Sequence, residues 1–356
     1  MKLDFCEVFD DYTSRCRKIP KEEYLSNGKY IVIDQGQNNI AGYTNIDDGL
    51  FEDVPAIVFG DHTRIIKYVD EPFFLGADGV KLLKPKIKDA NYKYLYYVLR
   101  NARIPDTGYN RHFKWLKEIN LEYKDVESQK NIVKTLDTVT NIIELYKVEL
   151  SKLDNLIRAR FVEMFGDIQS EEKYKNIKLK EICNTVSGGT PSTRVKEYYN
   201  GEIPWITTVS LGDNYINGVG AKAYITKSAI DNSATKLIPA GNILFGTRVG
   251  VGKSSINMVD LCTNQDIVAI IDIDTNKFDR LFIKHVLDMN QPYYDSLKKG
   301  ATILGITSED LKDTIIPNVP IEVQNKFSEF VIVIDKSKLL FVSQPQIHIY
   351  KTSTLL

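Results

Sequence analysis

Glu127-Ser128-Gln129-Lys130-Asn131 opens one predicted helix, and Glu322-Val323-Gln324-Asn325-Lys326 opens another, 195 positions further on. A globular-looking stretch precedes each. Two unlike globular units, each followed by a version of the same helical spacer, predict a molecule that recognises two separate things at a fixed distance.

After the first motif, Ile132, Leu136, Val139, Ile143, Tyr146, Leu150, Leu153 and Ile157 recur with 4-3-4-3-4-3-4 spacing, and charged residues such as Lys134, Glu144, Lys147 and Arg158 lie off that seam. A sustained period of 3.5 residues predicts a narrow stripe packed against another helix. From Val126 to Phe165 the helix would extend roughly 60 Å. Its natural partner is the second copy, packed antiparallel. That copy starts well, since Pro320 suits a first helical position. Its seam reads Gln324, Phe327, Val331, Ile334, Lys338 and Phe341, then meets Pro345. An interior proline costs about 3 kcal/mol, and Ile347-His348-Ile349-Tyr350 alternates as a strand would. Two readings of this tail stand equal: a replaced or truncated ending, or a natural variant whose helix stops early.

The expected division is therefore 1–124, a first globular domain; 125–167, a helical spacer; 168–319, a second globular domain; and 320–356, a second spacer shortened or altered after about 340. In the first domain Tyr30–Asp34 and Ala56–Phe59 read as strands and Tyr92–Leu99 as a helix. In the second, Ile203–Ile206, Ile243–Phe245 and Ile267–Ile271 read as strands, with a helix around Phe278–Asp288. The fold class is mixed, α/β (α+β).

At 356 residues, two domains can each hold a core. Hydrophobic content of 43% and charged content of 26% suit a globular protein, and no apolar run is long enough to span a membrane. Met1–Glu7 shows no signal-peptide apolar core. Cys6, Cys16, Cys183 and Cys262 are far apart, which argues against zinc and for reduced thiols in a cytoplasmic protein. A net charge of −1 is low for a protein that grips nucleic acid alone. It implies either no nucleic acid or local basic patches with a partner carrying much of the backbone contact.

Gly246-Thr247-Arg248-Val249-Gly250-Val251-Gly252-Lys253-Ser254 resembles a phosphate-binding loop, but Thr247 stands where glycine is needed, and Ser255–Val259 looks extended rather than helical. A basic, glycine-rich loop approaching a DNA phosphate, or an ordinary tight hairpin, fits better. Asn290-Gln291-Pro292-Tyr293 resembles an amino-methyltransferase loop with its first proline replaced, and reads better as a helix-ending turn. His62, His112, His285 and His348 show no metal spacing. Gly188-Gly189-Thr190-Pro191-Ser192-Thr193-Arg194 offers hydroxyl and guanidinium donors suited to phosphates and base edges, though a plain surface turn has the same composition.

Several motifs, in order, resemble the DNA-specificity subunit of Type I restriction–modification systems. They are Pro55–Arg64, Phe73–Val80, Met164-Phe165-Gly166-Asp167, Ser187–Ser192, Ile203–Thr207 and Thr247–Gly250. The resemblance covers about residues 1–340. It implies two target-recognition domains, each reading half of a split, asymmetric double-stranded DNA sequence. It implies an antiparallel coiled coil that sets the gap and docks two methyltransferase subunits, with restriction/translocase subunits able to join. Catalysis, with S-adenosylmethionine, ATP and magnesium, would reside in those partners, and this chain would hold no metal or cofactor. Without the resemblance, a nucleotide- or cofactor-binding enzyme and a coiled-coil scaffold stay open.

The expected DNA contacts are His62, Arg64, Arg111, His112 and Lys114 in the first domain. In the second they are Thr190, Ser192, Arg194, Thr207, Thr208, Arg248, Lys253 and Thr302. Arg64 and Arg248 follow comparable Phe-Gly turns, which suggests equivalent positions; a buried ion pair is the structural alternative for either.

Overall fold

The computed structural model describes residues 1–76, 79–108, 110–167, 173–300 and 304–352, with side chains as far as Leu339. It divides into two units: residues 1–147 with the end of the chain from Val342, and Val148–Phe341.

Unit 1 contains β1 (Lys2–Asp4), α1 (Phe5–Val8), β2 (Phe9–Asp11), β3 (Lys18–Ile19), β4 (Tyr30–Ile33), β5 (Gly42–Thr44), β6 (Ala56–Gly60), β7 (Ile66–Val69), β8 (Phe73–Gly76), β9 (Val80–Pro85), α2 (Tyr92–Arg100), α3 (Phe113–Leu116), β10 (Asn120–Glu122) and the start of α4 (Val126–Phe165). Two four-stranded sheets carry it, ordered β2-β9-β6-β7 and β3-β8-β4-β5. Strand β6 is buried throughout, and the period of two divides its side chains between two cores. Ile57 and Phe59 pack with Leu95, Leu99 and Phe113, on the helical side. Ala56 and Val58 pack with Ile31, Phe73 and Leu75 of the other sheet. Helix α2 starts where the Asn91 side chain accepts the Tyr94 N–H at 3.1 Å, a cap that satisfies one of the free amides of the first turn.

Unit 2 repeats the plan. Its strands are β11 (Asn176–Lys178), β12 (Asn184–Ser187), β13 (Ile203–Ile206), β14 (Tyr215–Ile216), β15 (Ala223–Ile225), β16 (Leu237–Ile238), β17 (Ile243–Gly246), β18 (Ser254–Asn257), β19 (Leu261–Thr263), β20 (Ile267–Ile271) and β21 (Ile315–Pro317). Its helices are the rest of α4, α5 (Lys227–Asp231), α6 (Arg280–Met289), α7 (Gln291–Leu297), α8 (Ser308–Lys312) and the larger part of α9 (Ile321–Thr352). The sheets run β12-β20-β17-β18-β14 and β15-β13-β19-β16. Strand β17 alternates as β6 does, with Ile243 and Phe245 facing the helical core and Leu244 facing Ile206 and Leu261.

The repeated motif has a structural cause. Gln129 and Gln324 are both buried, and each amide donates to the carbonyl five residues earlier, Lys124 at 2.8 Å and Val319 at 2.7 Å. This ties the entering chain to the first helical turn, where backbone groups lack partners within the helix. Gln324 does more: it also donates to the Lys277 carbonyl and accepts the Asp279 N–H. Asp125 caps α4 through the Ser128 N–H at 2.9 Å.

The seam is legible in the exposure of α4. Ile132 to Leu153 are half-buried at each predicted position, and Ile157 is buried. Its partners differ along the length. Ile132 packs on the globular core of unit 1. In unit 2, Leu153, Ile157, Phe161 and Phe165 join Phe327, Val331 and Ile334 of α9. The ring centroids of Phe161 and Phe327 lie 5.4 Å apart, and Lys338 Nζ lies 2.6 Å from Asp154. Higher positions on α4 thus meet lower positions on α9, so these segments run antiparallel. The lysine that interrupts the second seam is held by a carboxylate on the facing helix.

The tail departs from the reading in which the helix stops early and a strand-like end follows. Helix α9 continues through Pro345 to Thr352, and Ile347–Tyr350 is helical rather than extended. An interior proline kinks a helix more often than it ends a long one, and four alternating residues are a weak strand signal inside a long helix.

Candidate nucleic-acid interface

In each unit the long hairpin, β6–β7 or β17–β18, turns at the end of the sheet. The turn rests on the loop joining the next two strands. In unit 1 the Asp61 N–H donates to the Gly79 carbonyl at 2.7 Å; in unit 2 the Thr247 N–H donates to the Asp266 carbonyl at 2.8 Å. The pairings Gly60–Val80 and Gly246–Ile267 give the same register. The turn residues therefore correspond as Gly60 to Gly246, Asp61 to Thr247, and His62 to Arg248. Arg64 is not the counterpart of Arg248. It lies two residues further on, at φ 62°, and its guanidinium meets Asp106 at 2.7 Å. The Gly108 N–H and Arg64 together hold the Asp106 carboxyl below its ordinary range. Arg64 thus fastens the 104–108 loop through an ion pair that is partly exposed rather than buried.

Unit 2 brings several predicted residues together. The Thr190 hydroxyl donates to Gln265 Oε1 at 2.6 Å, on the loop that also holds Thr247. Arg248 and Lys253 are exposed on the β17–β18 turn, and among the described residues neither enters an ion pair. The Ile306 N–H donates to the Thr247 carbonyl, which brings the 304–306 segment beside Arg248. Ser192 and Arg194 are exposed on the loop carrying Thr190, which is anchored where Tyr199 donates to the Pro191 carbonyl. Thr207 is half-buried and Thr208 buried, so the Thr208 hydroxyl is poorly placed to meet a duplex. Thr302 lies outside the described residues. The segment after the glycine-rich turn is the buried strand β18, antiparallel to β17, which excludes the helix N-terminus of a nucleotide cradle. Asn290 ends α6 and Gln291 begins α7, as a helix-ending turn requires.

In unit 1, His62 is half-buried on its turn, and its N–H donates to Gln35 Oε1 at 3.1 Å. Gly60 cannot carry a side chain: a Cβ there would meet the Thr63 hydroxyl and lie 2.9 Å from Gln35 Cβ. Arg111 and Lys114 are exposed, with Lys114 over the Trp115 ring. His112 is a correction. It is wholly buried, and its N–H and Nδ1 both lie against the Asp61 carbonyl, at 2.7 and 3.0 Å. Asp61 in turn accepts the Phe113 N–H. This pair joins the segment before Phe113 to the turn from inside, with a backbone carbonyl satisfying the buried imidazole.

Sequence reading missed Gln265 and the amide run Gln35–Asn39. A run of amides directly after a predicted strand was the available signal. Among the described residues no group of three or more His, Cys, Asp or Glu could hold a metal, and no helix is long and apolar enough to cross a membrane. Burial pushes the Cys16 and Cys262 thiols up to about 11, so neither is a reactive thiolate at neutral pH.

Comparison with known proteins identifies the family. The family described as "Type I restriction modification DNA specificity domain" matches residues 3–155 and 171–344. The chain belongs to that family, and it is a specificity subunit of a Type I restriction–modification system; catalysis in such systems lies in partner subunits. It is 26% identical over 338 residues to the specificity subunit of the Type I restriction enzyme EcoR124I/EcoR124II of Escherichia coli, covering 89% of this chain and 81% of that one. Over 152 residues it is 32% identical to the MjaIX specificity subunit of Methanocaldococcus jannaschii, covering 42% of this chain and 35% of that one. In fold it is similar to the crystal structure of a Type I restriction–modification S subunit from M. genitalium, with TM-score 0.55, 16% identity, and coverage of 100% and 94% of the two chains.

Proposed function

We propose that this specificity subunit reads a split, asymmetric DNA sequence, one half through residues 1–124 and the other through 168–319. The observation that carries the reading is the shared register of the two turns, which display different side chains, His62 and Arg248, at one equivalent position. The same backbone frame with different chemistry suits two unlike half-sites. Arg248 and Lys253 supply phosphate or guanine contacts, and Thr190, Ser192 and Arg194 supply further donors.

Helices α4 and α9 set the unread gap and dock two methyltransferase subunits, with restriction/translocase subunits joining the complex in the cytoplasm. Exposed Val148 and Leu156 on α4, and Val333 and Leu339 on α9, are apolar area that a docked subunit would cover. S-adenosylmethionine, ATP and magnesium belong to those partners. A net charge of −1 agrees with partner surfaces sharing the grip on phosphates.

The test is to express the chain with the methyltransferase subunit of its own system in a methylation-free host and map methylated bases across the genome. A bipartite motif with two unlike halves is expected. A palindrome built from one half, or no methylation from a soluble, cofactor-bound complex, would overturn the reading.

A further inference from the structure

Asp61, Lys67 and Lys84 are charged residues buried in unit 1. Lys67 is 4% exposed on β7. Its ammonium lies 2.6 Å from the Asn38 carbonyl and 3.6 Å from Asp34 Oδ1. Burial pushes Lys67 below its ordinary range, against the opposing pull of Asp34. A buried cation is unfavourable unless paired, and both partners of this one lie in the loop between β4 and β5. Asp34 holds the same loop from inside by accepting the Gly36 N–H at 2.8 Å.

The loop so clamped is Gln35-Gly36-Gln37-Asn38-Asn39. Gln35 joins it to the turn bearing His62: it accepts the His62 N–H on its side chain and the Thr63 hydroxyl on its carbonyl. Gln37, Asn38 and Asn39 are exposed. Unit 2 contains the same device with other residues. In the hairpin register Lys67 lies opposite Val58, and Ser255 lies opposite Leu244, the corresponding position. Ser255 is fully buried, and its hydroxyl accepts the Gly212 N–H at 3.0 Å, in the loop after β13. In both units a buried polar side chain at one register position therefore pins the loop that follows the parallel central strand.

We infer that Gln37, Asn38 and Asn39 form a base-reading loop of unit 1 that selects an A·T pair, with Lys67 as its positioning residue. The inference rests on the reading under Proposed function. A carboxamide offers a donor and an acceptor side by side, which match adenine N7 and N6 in the major groove, and a fixed loop keeps that geometry before DNA arrives.

The test uses the complete complex with its methyltransferase subunit and genome-wide methylation mapping. The Gln37→Ala/Asn38→Ala/Asn39→Ala variant should lose discrimination about 5- to 150-fold at one A·T position of one half-site, leaving the other half unchanged. Lys67→Met should blur the same half while keeping Tm, and Ser255→Ala should blur the opposite half. If the triple variant keeps the parent motif, the inference falls while the split-site reading stands. Loss of methylation at every sequence would also overturn it, because a base reader relaxes choice rather than abolishing attachment. Lowered Tm with an unchanged motif for Lys67→Met would make that residue structural only. If the parent complex itself shows no split motif, both readings fall together.

Discussion

In unit 1 the buried residue opposite the strand leading into the long turn is a lysine, Lys67; in unit 2 it is a serine, Ser255. The lysine reaches across to a carbonyl and a carboxylate, whereas the serine accepts a single amide. The scaffold prescribes a polar anchor at that point, and the chemistry of the loop it holds is free to vary. The two turns follow the same rule: one backbone register presents His62 in the first unit and Arg248 in the second. A protein that reads two unlike things needs this combination of a constant frame and variable side chains.

The largest effect should separate the two ends of α4. Phe161 is fully buried among Phe165, Phe282 and Phe327, so Phe161→Ala should cost about 3–5 kcal/mol. Ile132→Ala, at a half-buried site on unit 1, should cost less than half as much. Denaturant unfolding followed separately in each unit checks this, and equal losses would show that α4 is held alike at both ends.

The paired glutamines come next. Gln324→Ala strands the Val319 and Lys277 carbonyls and the Asp279 N–H, for about 2–4 kcal/mol. Gln129→Ala breaks one bond, to Lys124, for about 1 kcal/mol. Thermal unfolding of the two variants side by side would show whether the repeat is symmetric in energy as well as in sequence.

Arg248→Ala should weaken DNA binding by the assembled complex by about 1–3 kcal/mol and, if the contact is to phosphate, lower the salt dependence by about one unit of slope. Arg64→Ala should act through the 104–108 loop and leave the salt slope unchanged. Titrations at several salt concentrations distinguish them.

A smaller difference concerns pH. His285 in unit 2 faces the cations of Lys284 and Lys338, the Phe327 ring and, at 4.0 Å, Asp288. Burial and the two lysines push it well below its ordinary 6.5. Unfolding therefore takes up a proton below that value. The stability His285 supports is complete above about pH 6.5 and is lost as pH falls toward its folded value. Asp288, raised by burial, has the opposite slope, so the comparison must be between parent and His285→Leu. The variant should show a flatter fall in Tm just below pH 6.5. The smallest effect is expected from Lys338→Met, about 0.2–1 kcal/mol, since Asp154 is largely exposed.

The elements were mostly legible along the chain. Periodicity located α4 from Val126 to Phe165, and apolar runs located β4, β6, β13, β17 and β20, because burial of one face imposes a period that survives in sequence. The defect of the phosphate-binding motif was also legible, through the extended character of Ser255–Val259. The site was less so. His112 and Arg64 carry the chemistry of DNA contacts, yet one is enclosed against Asp61 and the other is paired with Asp106. Composition does not record which polar groups face each other.

By itself, the sequence determined the repeat, the helical seam and the family, since each depends on residue type and on order along the chain. Tertiary structure alone decided that His62, not Arg64, matches Arg248, that α9 passes through Pro345, and that Lys67 and Ser255 occupy one register position. Those facts rest on hydrogen-bond pairing between segments distant along the chain, and the partner of a strand or a buried ammonium is chosen by the whole fold rather than by its neighbours in sequence.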